Sequence, residues 1–367
     1  MSANIPNTPL CEQARAFACL HQGQPTRPFV ANLDADIHLV EAGPYSFPVT
    51  LASPRESNAW VVSPATTYGR YAVEESERLA PAWARAPLRA ATAWAAREMQ
   101  ATGLGRAVSV NNWLLSTNIY PPTDSPMVET LRDRCIANWP TSALWFRSLN
   151  RFQHGPWLDA LVAAGFRLIP TRQVYLFQDL KASRSRNLKR DLALMRKTVL
   201  QPVAHQQFQP VDFARSERLY AQLYLEKYSA LNPAYTAEFL RTWHQAGLLR
   251  MAGWRDAEGQ LQAVVGIFSQ GDVSTAPIVG YNTSLPQSLG LYRLLMAQAF
   301  RHAIESQTVL NLSAGASGFK RLRGGMPAIE YSAVYARHLP SRSRRFLWAL
   351  HAVTSGFGVP LMKWKKL

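Results

Sequence analysis

Between Leu248 and Asn282 three apolar runs, 248–255, 261–269 and 273–282, are separated only by the short turns Asp256–Gln260 and Gln270–Asp272. Apolar runs of this length divided by such turns form antiparallel hairpins, so the segment is a meander that needs a helical layer against it. The helical patterns 213–228 and 236–246, split at Asn232-Pro233, precede it, and a long helical pattern, 289–305, follows it. A strand at 309–314, a glycine-flanked helix or turn containing 319–323 and a strand at 328–338 complete the order. The second half therefore reads α-α-β-β-β-α-β-α-β, a mixed and mostly antiparallel α/β arrangement.

The first half repeats the rhythm less regularly. Strand patterns at 37–40 and 47–52 lead to helical residues 74–102, broken at Pro87, and to a strand at 107–115. A helix from Ser125 to Asn138 opened by Pro126, a strand at 143–149, a helix at 157–165 and a strand-rich 166–177 follow. At roughly 150 residues per domain, 367 residues give about two domains. The expected division is 1–180, 181–341 and a tail, 342–367. Residues 183–197 form a basic amphipathic helix, with Leu188, Leu192, Met195 and Val199 on one stripe and Arg186, Lys189, Arg190, Arg196 and Lys197 on the others. It is either a connector with a solvated face or an anion-binding surface.

Lys and Arg number 40 against 24 Asp and Glu, a net charge of +16 although only 17% of residues are charged. That balance favours nucleic acid, anionic lipid, an acidic carrier protein or a phosphorylated cofactor, and does not rank them. Cys11, Cys19 and Cys135 have no disulfide or zinc spacing, and the first twenty residues lack the pattern of a secretory signal, so a reducing cytoplasm is expected. No His-x-x-x-His or Cys-x-x-Cys pair occurs, so no metal is expected; G-x-S-x-G and the P-loop motif are absent. Gly103-Leu104-Gly105 fails as a dinucleotide fingerprint because Val108 takes the third glycine's place.

The order of the second half resembles the GCN5-related N-acyltransferase (GNAT) superfamily, and within it the Fem-like and BioF2-like branch with tandem domains. After the meander, Pro277-Ile278-Val279-Gly280-Tyr281-Asn282 leads through Gln287-Ser288-Leu289-Gly290-Leu291-Tyr292-Arg293 into the long helix. The family places a Gln/Arg-x-x-Gly-x-Gly/Ala turn there; Tyr292 departs from its last position. Such a turn brings free amides at a helix N-terminus to a pyrophosphate. Further on, Phe319-Lys320 precedes Gly324 and a last strand, as a Phe-Lys pair does in Fem-like transferases. The resemblance implies tandem GNAT-like domains, the first degenerate, and an acyltransferase whose lysine stabilises developing negative charge or a donor phosphate.

Acyl transfer to an amine requires an activated acyl group held against the amine, a polarised carbonyl and an exit for one proton. By the resemblance, a bulge in the central strand splays two parallel strands; Val264–Ile267, including Val264, Val265 and Gly266, is the expected bulge, unless Gly266 only relieves packing. Lys320, Glu330 and Tyr281 are the catalytic candidates. Lys320 either stabilises an oxyanion or phosphate or belongs to a solvated basic turn with Arg321 and Arg323. Glu330 either takes the amine's proton or pairs with Arg321 or Arg323. Tyr281 either protonates the leaving group or packs at the sheet rim. Asn282, Ser313, Phe319 and Arg323 are substrate-binding candidates, the first two equally well read as turn residues.

The tail places Arg342, Arg344 and Arg345 before, and Lys363, Lys365 and Lys366 after, an apolar stretch with Trp348 and Trp364 near its ends. Gly356, Gly358 and Pro360 interrupt it, which suits lying in a membrane interface or docking on the protein's own core rather than crossing a bilayer. Three functions are expected in turn. The first is an N-acyltransferase taking acyl groups from acyl-CoA or an acyl carrier protein, the latter accommodating Tyr292 better, to a small or lipid-like amine. The second is a Fem-like aminoacyl-tRNA-dependent transferase, and the third a non-catalytic module for polyanions or membranes. The inner face of the membrane is the expected docking side.

Overall fold

The computed structural model describes residues 9–53, 58–77 and 82–365. Its strands are β1 (Ala35–Ala42), β2 (Tyr45–Ala52), β3 (Ala107–Val110), β4 (Ala143–Asn150), β5 (Arg167–Phe177), β6 (Gln201–Val203), β7 (Arg250–Arg255), β8 (Leu261–Gln270), β9 (Val273–Tyr281), β10 (Val309–Asn311) and β11 (Met326–Tyr335). They form one 11-stranded sheet in the order β1-β2-β3-β4-β11-β5-β10-β9-β8-β7-β6. Strands β3 and β4 are parallel, as are β9 and β10; the other neighbours run antiparallel.

The order is nearly palindromic about the pair β11–β5. Each half runs through antiparallel strands to one parallel step, and each then lends its last strand to the other: β11 lies between β4 and β5, and β5 between β11 and β10. The GNAT-like rhythm thus appears twice in a single mixed α/β sheet flanked by helices. A division at 180/181 cuts the chain after β5, although β5 pairs with β10 and β11 beyond it. We retain two units as a proposal about the origin of the chain.

Central strands are covered on both faces: β4 is buried at all eight positions, while β1, at the edge, is partly exposed. One core packs the helices Pro210–Ala221 and Ala237–Gln245 onto β8 and β9 through Phe213, Tyr220, Phe239, Trp243, Val264 and Ile278. On the opposite face Leu294, Leu295, Ala299 and Phe300 of the helix Leu291–Ser306 meet Val265, Ile267 and Val279. The basic helix spans Arg186–Lys197, capped where Ser185 Oγ accepts the Leu188 amide at 3.2 Å.

Several expectations shift. The strand read over 107–115 stops at Val110, because Asn111 (φ 54°) and Leu114 (φ 60°) turn left-handed and Asn111 and Asn112 donate to the Ile119 carbonyl and to Thr50 Oγ1. The helical stretch 74–102 divides into Ala72–Glu77 and Ala82–Ala101, the latter accommodating Pro87; residues 78–81 lie outside the described residues. Ahead of the first strand, the helix Pro9–His21 buries Cys11, Ala14 and Phe17. The strand read over 309–314 is only three residues long.

Candidate functional site

The ladder between β9 and β10 has only three positions, Val273↔Val309, Ser274↔Leu310 and Thr275↔Asn311. Beyond Thr275, β9 continues to Tyr281, whereas the chain after β10 turns away through Ser313 (φ 57°), Gly315 (φ 79°) and Ala316 (φ 47°) into the short helix Ser317–Arg321. Strand β5 stays with the departing chain: the Leu312 amide donates to the Tyr175 carbonyl and the Tyr175 amide to the Ser313 carbonyl, both at 3.1 Å. The divergence leaves a slot between residues 276–281 of β9 and the chain at 312–316.

The bulge belongs to β9. Gly266 faces Ile278, but Phe268 faces Thr275, so β9 carries one residue more than β8, at Ala276–Pro277. Proline lacks the amide a ladder would use and is tolerated at such a point. The expected site in β8 is regular: Val264, Val265 and Gly266 pair with Gly253, Ala252 and Met251 on one side and with Gly280, Val279 and Ile278 on the other. Gly266 is required by packing, since a Cβ there would lie 2.9 Å from Leu249 Cδ2.

Gln287–Leu289 form a single 3-10 turn, and Gly290, left-handed at φ 65°, starts the long helix at Leu291. Gln287 and Ser288 are exposed. The basic helix closes over this turn: a Cβ on Gly290 would stand 3.0 Å from Leu194 Cδ2. Arg293 Nε donates to Asp191 Oδ1 at 2.7 Å, and Arg323 Nε donates to the other oxygen of the same fully buried carboxylate. Both arginines are thereby committed to Asp191. Tyr292 packs edge-on against Phe319, with centroids 4.9 Å apart, and lies 6.3 Å from Tyr281. Burial raises its hydroxyl above the ordinary phenol range. Arg323 stacks on Phe319 at 3.3 Å and also donates to its carbonyl. The wall expected to cradle phosphate is therefore aromatic.

Lys320 is 3% exposed, and its ammonium donates to the carbonyls of Leu312 (2.7 Å), Ser313 (3.2 Å) and Ala314 (2.8 Å). All three donors of an ammonium are consumed, so Lys320 braces the turn that opens the slot instead of reaching into it. Burial and then the Arg172 charge push it down to about 7. Glu330 is also buried, but its partner is neither Arg321 nor Arg323. Arg172 grips it with Nε to Oε1 at 2.7 Å and Nη2 to Oε2 at 3.2 Å. Asn282 is a turn residue: it donates to Gln262 Oε1 at 2.9 Å and accepts from the Ser284 amide at 3.1 Å. Ser313 supplies backbone, with its amide on Asn311 Oδ1 at 2.9 Å. Tyr281 remains at the half-buried rim.

Thus Tyr281, Tyr292, Phe319, Lys320 and Ser313 gather around the slot. Val264, Val265 and Gly266 do not supply its bulge. Arg172 and Asp191 are absent from the sequence candidates; the signal is a charge within an otherwise apolar strand pattern for the first, and the lone acid of a basic helix for the second.

Residues 183–321 match the family model of the acetyltransferase (GNAT) domain. Two solved structures share the fold over almost the whole chain. The C-terminal domain of an Agrobacterium fabrum protein described as a lysylphosphatidylglycerol synthetase is 12% identical, covering 94% of this chain and 96% of that one at a TM-score of 0.52. The structure of L-PGS from Bacillus licheniformis is also 12% identical, covering 92% and 95% at a TM-score of 0.52. No curated protein sequence matches.

Replacing Lys320 by Met leaves the Leu312 and Ala314 carbonyls without their donor, while Ser313 keeps the Tyr175 amide, and urea unfolding near pH 7 should show a loss of about 1–3 kcal/mol. Between pH ~7 and ~10.5 the unfolded chain holds a proton at this lysine that the folded chain has released, so this group's contribution to stability rises with pH across that window. The difference between wild type and K320M, followed by Tm against pH, should show that rise; a pH-independent difference would refute the assignment.

Proposed function

Because this chain belongs to the GNAT superfamily and is a GNAT-type acyltransferase, we propose that its slot transfers an aminoacyl group from the 3′ end of a charged tRNA to an amine acceptor. The observation that carries this reading is the basic helix packed on the slot's donor side. Lys181, Arg184, Arg186, Lys189, Arg190, Arg196 and Lys197 are exposed, whereas Asp191, the single acid between residues 181 and 209, is buried beneath Arg293 and Arg323. Such a surface holds a phosphate backbone rather than one compact pyrophosphate. Leu194 over Gly290 and the ring of Tyr292 support the same choice, because they occupy the space where a coenzyme A pyrophosphate would approach the helix N-terminus.

In the proposed reaction the acceptor nitrogen attacks the ester carbonyl, the C–N bond forms as the ester C–O bond breaks, and the amine proton leaves as the tRNA hydroxyl departs. The structure's part is positioning: β9 backbone on one side, the braced 312–316 turn on the other. Acyl-CoA and an acyl carrier protein are the competing donors.

Purified chain offered each donor separately should consume charged tRNA, detected by mass spectrometry of the amine product. R186A/K189A/R190A should weaken tRNA binding by about 10–100-fold and flatten the log–log salt dependence by roughly two units. Consumption of acyl-CoA with an unchanged salt slope would contradict the proposal.

The tail supports a peripheral membrane location. No helix among the described residues is long and apolar enough to cross a membrane. Phe346, Leu347 and Met362 dock on the protein's own core, while Trp348, Val353, Phe357, Leu361 and Trp364 are 43–78% exposed. Trp94 of the helix Ala82–Ala101 is also exposed and contacts Phe346 at 5.8 Å. Arg344, Arg345 and Lys363 are exposed nearby, and no acid follows Glu330. Aromatic and basic groups so combined suit an anionic bilayer interface. The chain should co-sediment with vesicles containing phosphatidylglycerol and not with phosphatidylcholine alone, and F357S/W364S should lose most of that binding. Retention by the variant would rule the tail out.

A further inference from the structure

Trp60 lies against two guanidinium groups. Arg147 Cζ stands 4.9 Å and Arg172 Cζ 5.0 Å from its ring, with Tyr71 stacked on the ring at 5.5 Å. Trp60 and Arg147 are only 6% and 8% exposed. Arg172 lies three residues along β5 from Tyr175, where the departing chain last pairs.

Among the described residues the charges here do not balance. Glu330 is gripped by Arg172. Arg147 directs Nη1 to neutral oxygens, the Val61 carbonyl at 2.6 Å and Asn112 Oδ1 at 3.3 Å, and among the described residues Glu330 is the one carboxylate whose field acts on it. The neighbouring titratable groups, Tyr120 and Tyr235, are neutral phenols, and burial followed by the Arg172 charge pushes Arg147 down to about 10. The Arg172 charge also reaches Lys320, where it adds to burial in favouring the neutral amine. Buried charge without a counter-charge is strongly unfavourable, so a cluster of this kind is expected where a ligand supplies the missing anion.

Two further donors fit that reading. The Tyr68 hydroxyl is deep, lies beside Ser332 within the fields of Arg147 and Glu330, and finds no hydrogen bond of normal geometry among the described residues. Ser148 directly follows Arg147, is 1% exposed, and holds a left-handed backbone at φ 66° where β4 bulges against β11; its hydroxyl has no partner among the described residues. A β-bulge held in that conformation re-aims the side chains around it.

We propose that Arg147 and Arg172, held across Trp60, bind an oxyanion of the acceptor, a phosphodiester or a carboxylate. The word acceptor rests on the transferase reading; the anion site itself does not.

The test uses the full chain without donor. Dimethyl phosphate and acetate are titrated separately while Tm is followed, with sodium chloride at matched ionic strength as control. At least one of them should raise Tm saturably above the control. R147M, with an unchanged far-UV spectrum, should abolish that rise. R147K, which keeps the charge but not the planar fork, should weaken the apparent affinity at least tenfold and serves if R147M does not fold. A response to dimethyl phosphate alone assigns a phosphodiester-bearing acceptor, and to acetate alone a carboxylate-bearing one. No rise above chloride, or an unaltered rise in the folded Arg147 variant, overturns the proposal. If no donor is consumed but the anion response persists, the transferase reading fails and this site stands.

Discussion

A strand that leaves a sheet exposes the backbone of its neighbour, and the chain must then satisfy the freed groups elsewhere. Here β10 leaves after three ladder positions, and the carbonyls it carries away are collected by Lys320 and by the Tyr175 amide. The slot exists because those partners hold the turn apart from β9. Without them the carbonyls of 312–314 would be left without partners. The inserted residue at Ala276–Pro277 works in the same direction, since proline offers no amide to re-form the ladder.

Charge is organised around the slot in two sets. On the donor side Asp191 joins the basic helix, the start of the long helix and the turn carrying Arg323, so one buried carboxylate fixes three segments. Removing one member of such a set is costly because the others stay buried and unpaired. In the second set, among the described residues, Arg147, Arg172 and Glu330 leave an excess of positive charge. In the first set both arginines reach the carboxylate directly, whereas in the second Arg147 meets neutral oxygens among the described residues. The exchange of β5 and β11 brings the second set together, because it places Arg172 and Glu330 on adjacent strands beside Arg147 on β4.

Much of the second half is legible in the sequence because its signals are local. The meander, the basic helix and the long helix each announce themselves through periodicity and turns, and Gly290 through its place before a helix. The strand exchange is not legible, since nothing local in Glu330 says that Arg172, 158 residues earlier in the chain, will be its partner. A glycine draws the expected bulge to β8, but Gly266 answers to the Leu249 side chain while the irregularity follows Pro277 in the next strand. The motif around Lys320 marks the residue without its role, because neighbouring cations in sequence suggest an exposed turn and burial decides otherwise. In the first half, the asparagines at 111 and 112 end a strand that apolar content alone would prolong.

The central claim is that the divergence of β9 and β10 receives the activated acyl group. Co-crystallisation with a non-hydrolysable amide analogue of an aminoacyl-adenosine tests it most directly. The account predicts density between residues 276–281 and the 312–316 turn, with the carbonyl against β9 and the adenosine toward the basic helix. Ligand bound elsewhere, with the two segments closed on one another, would contradict it.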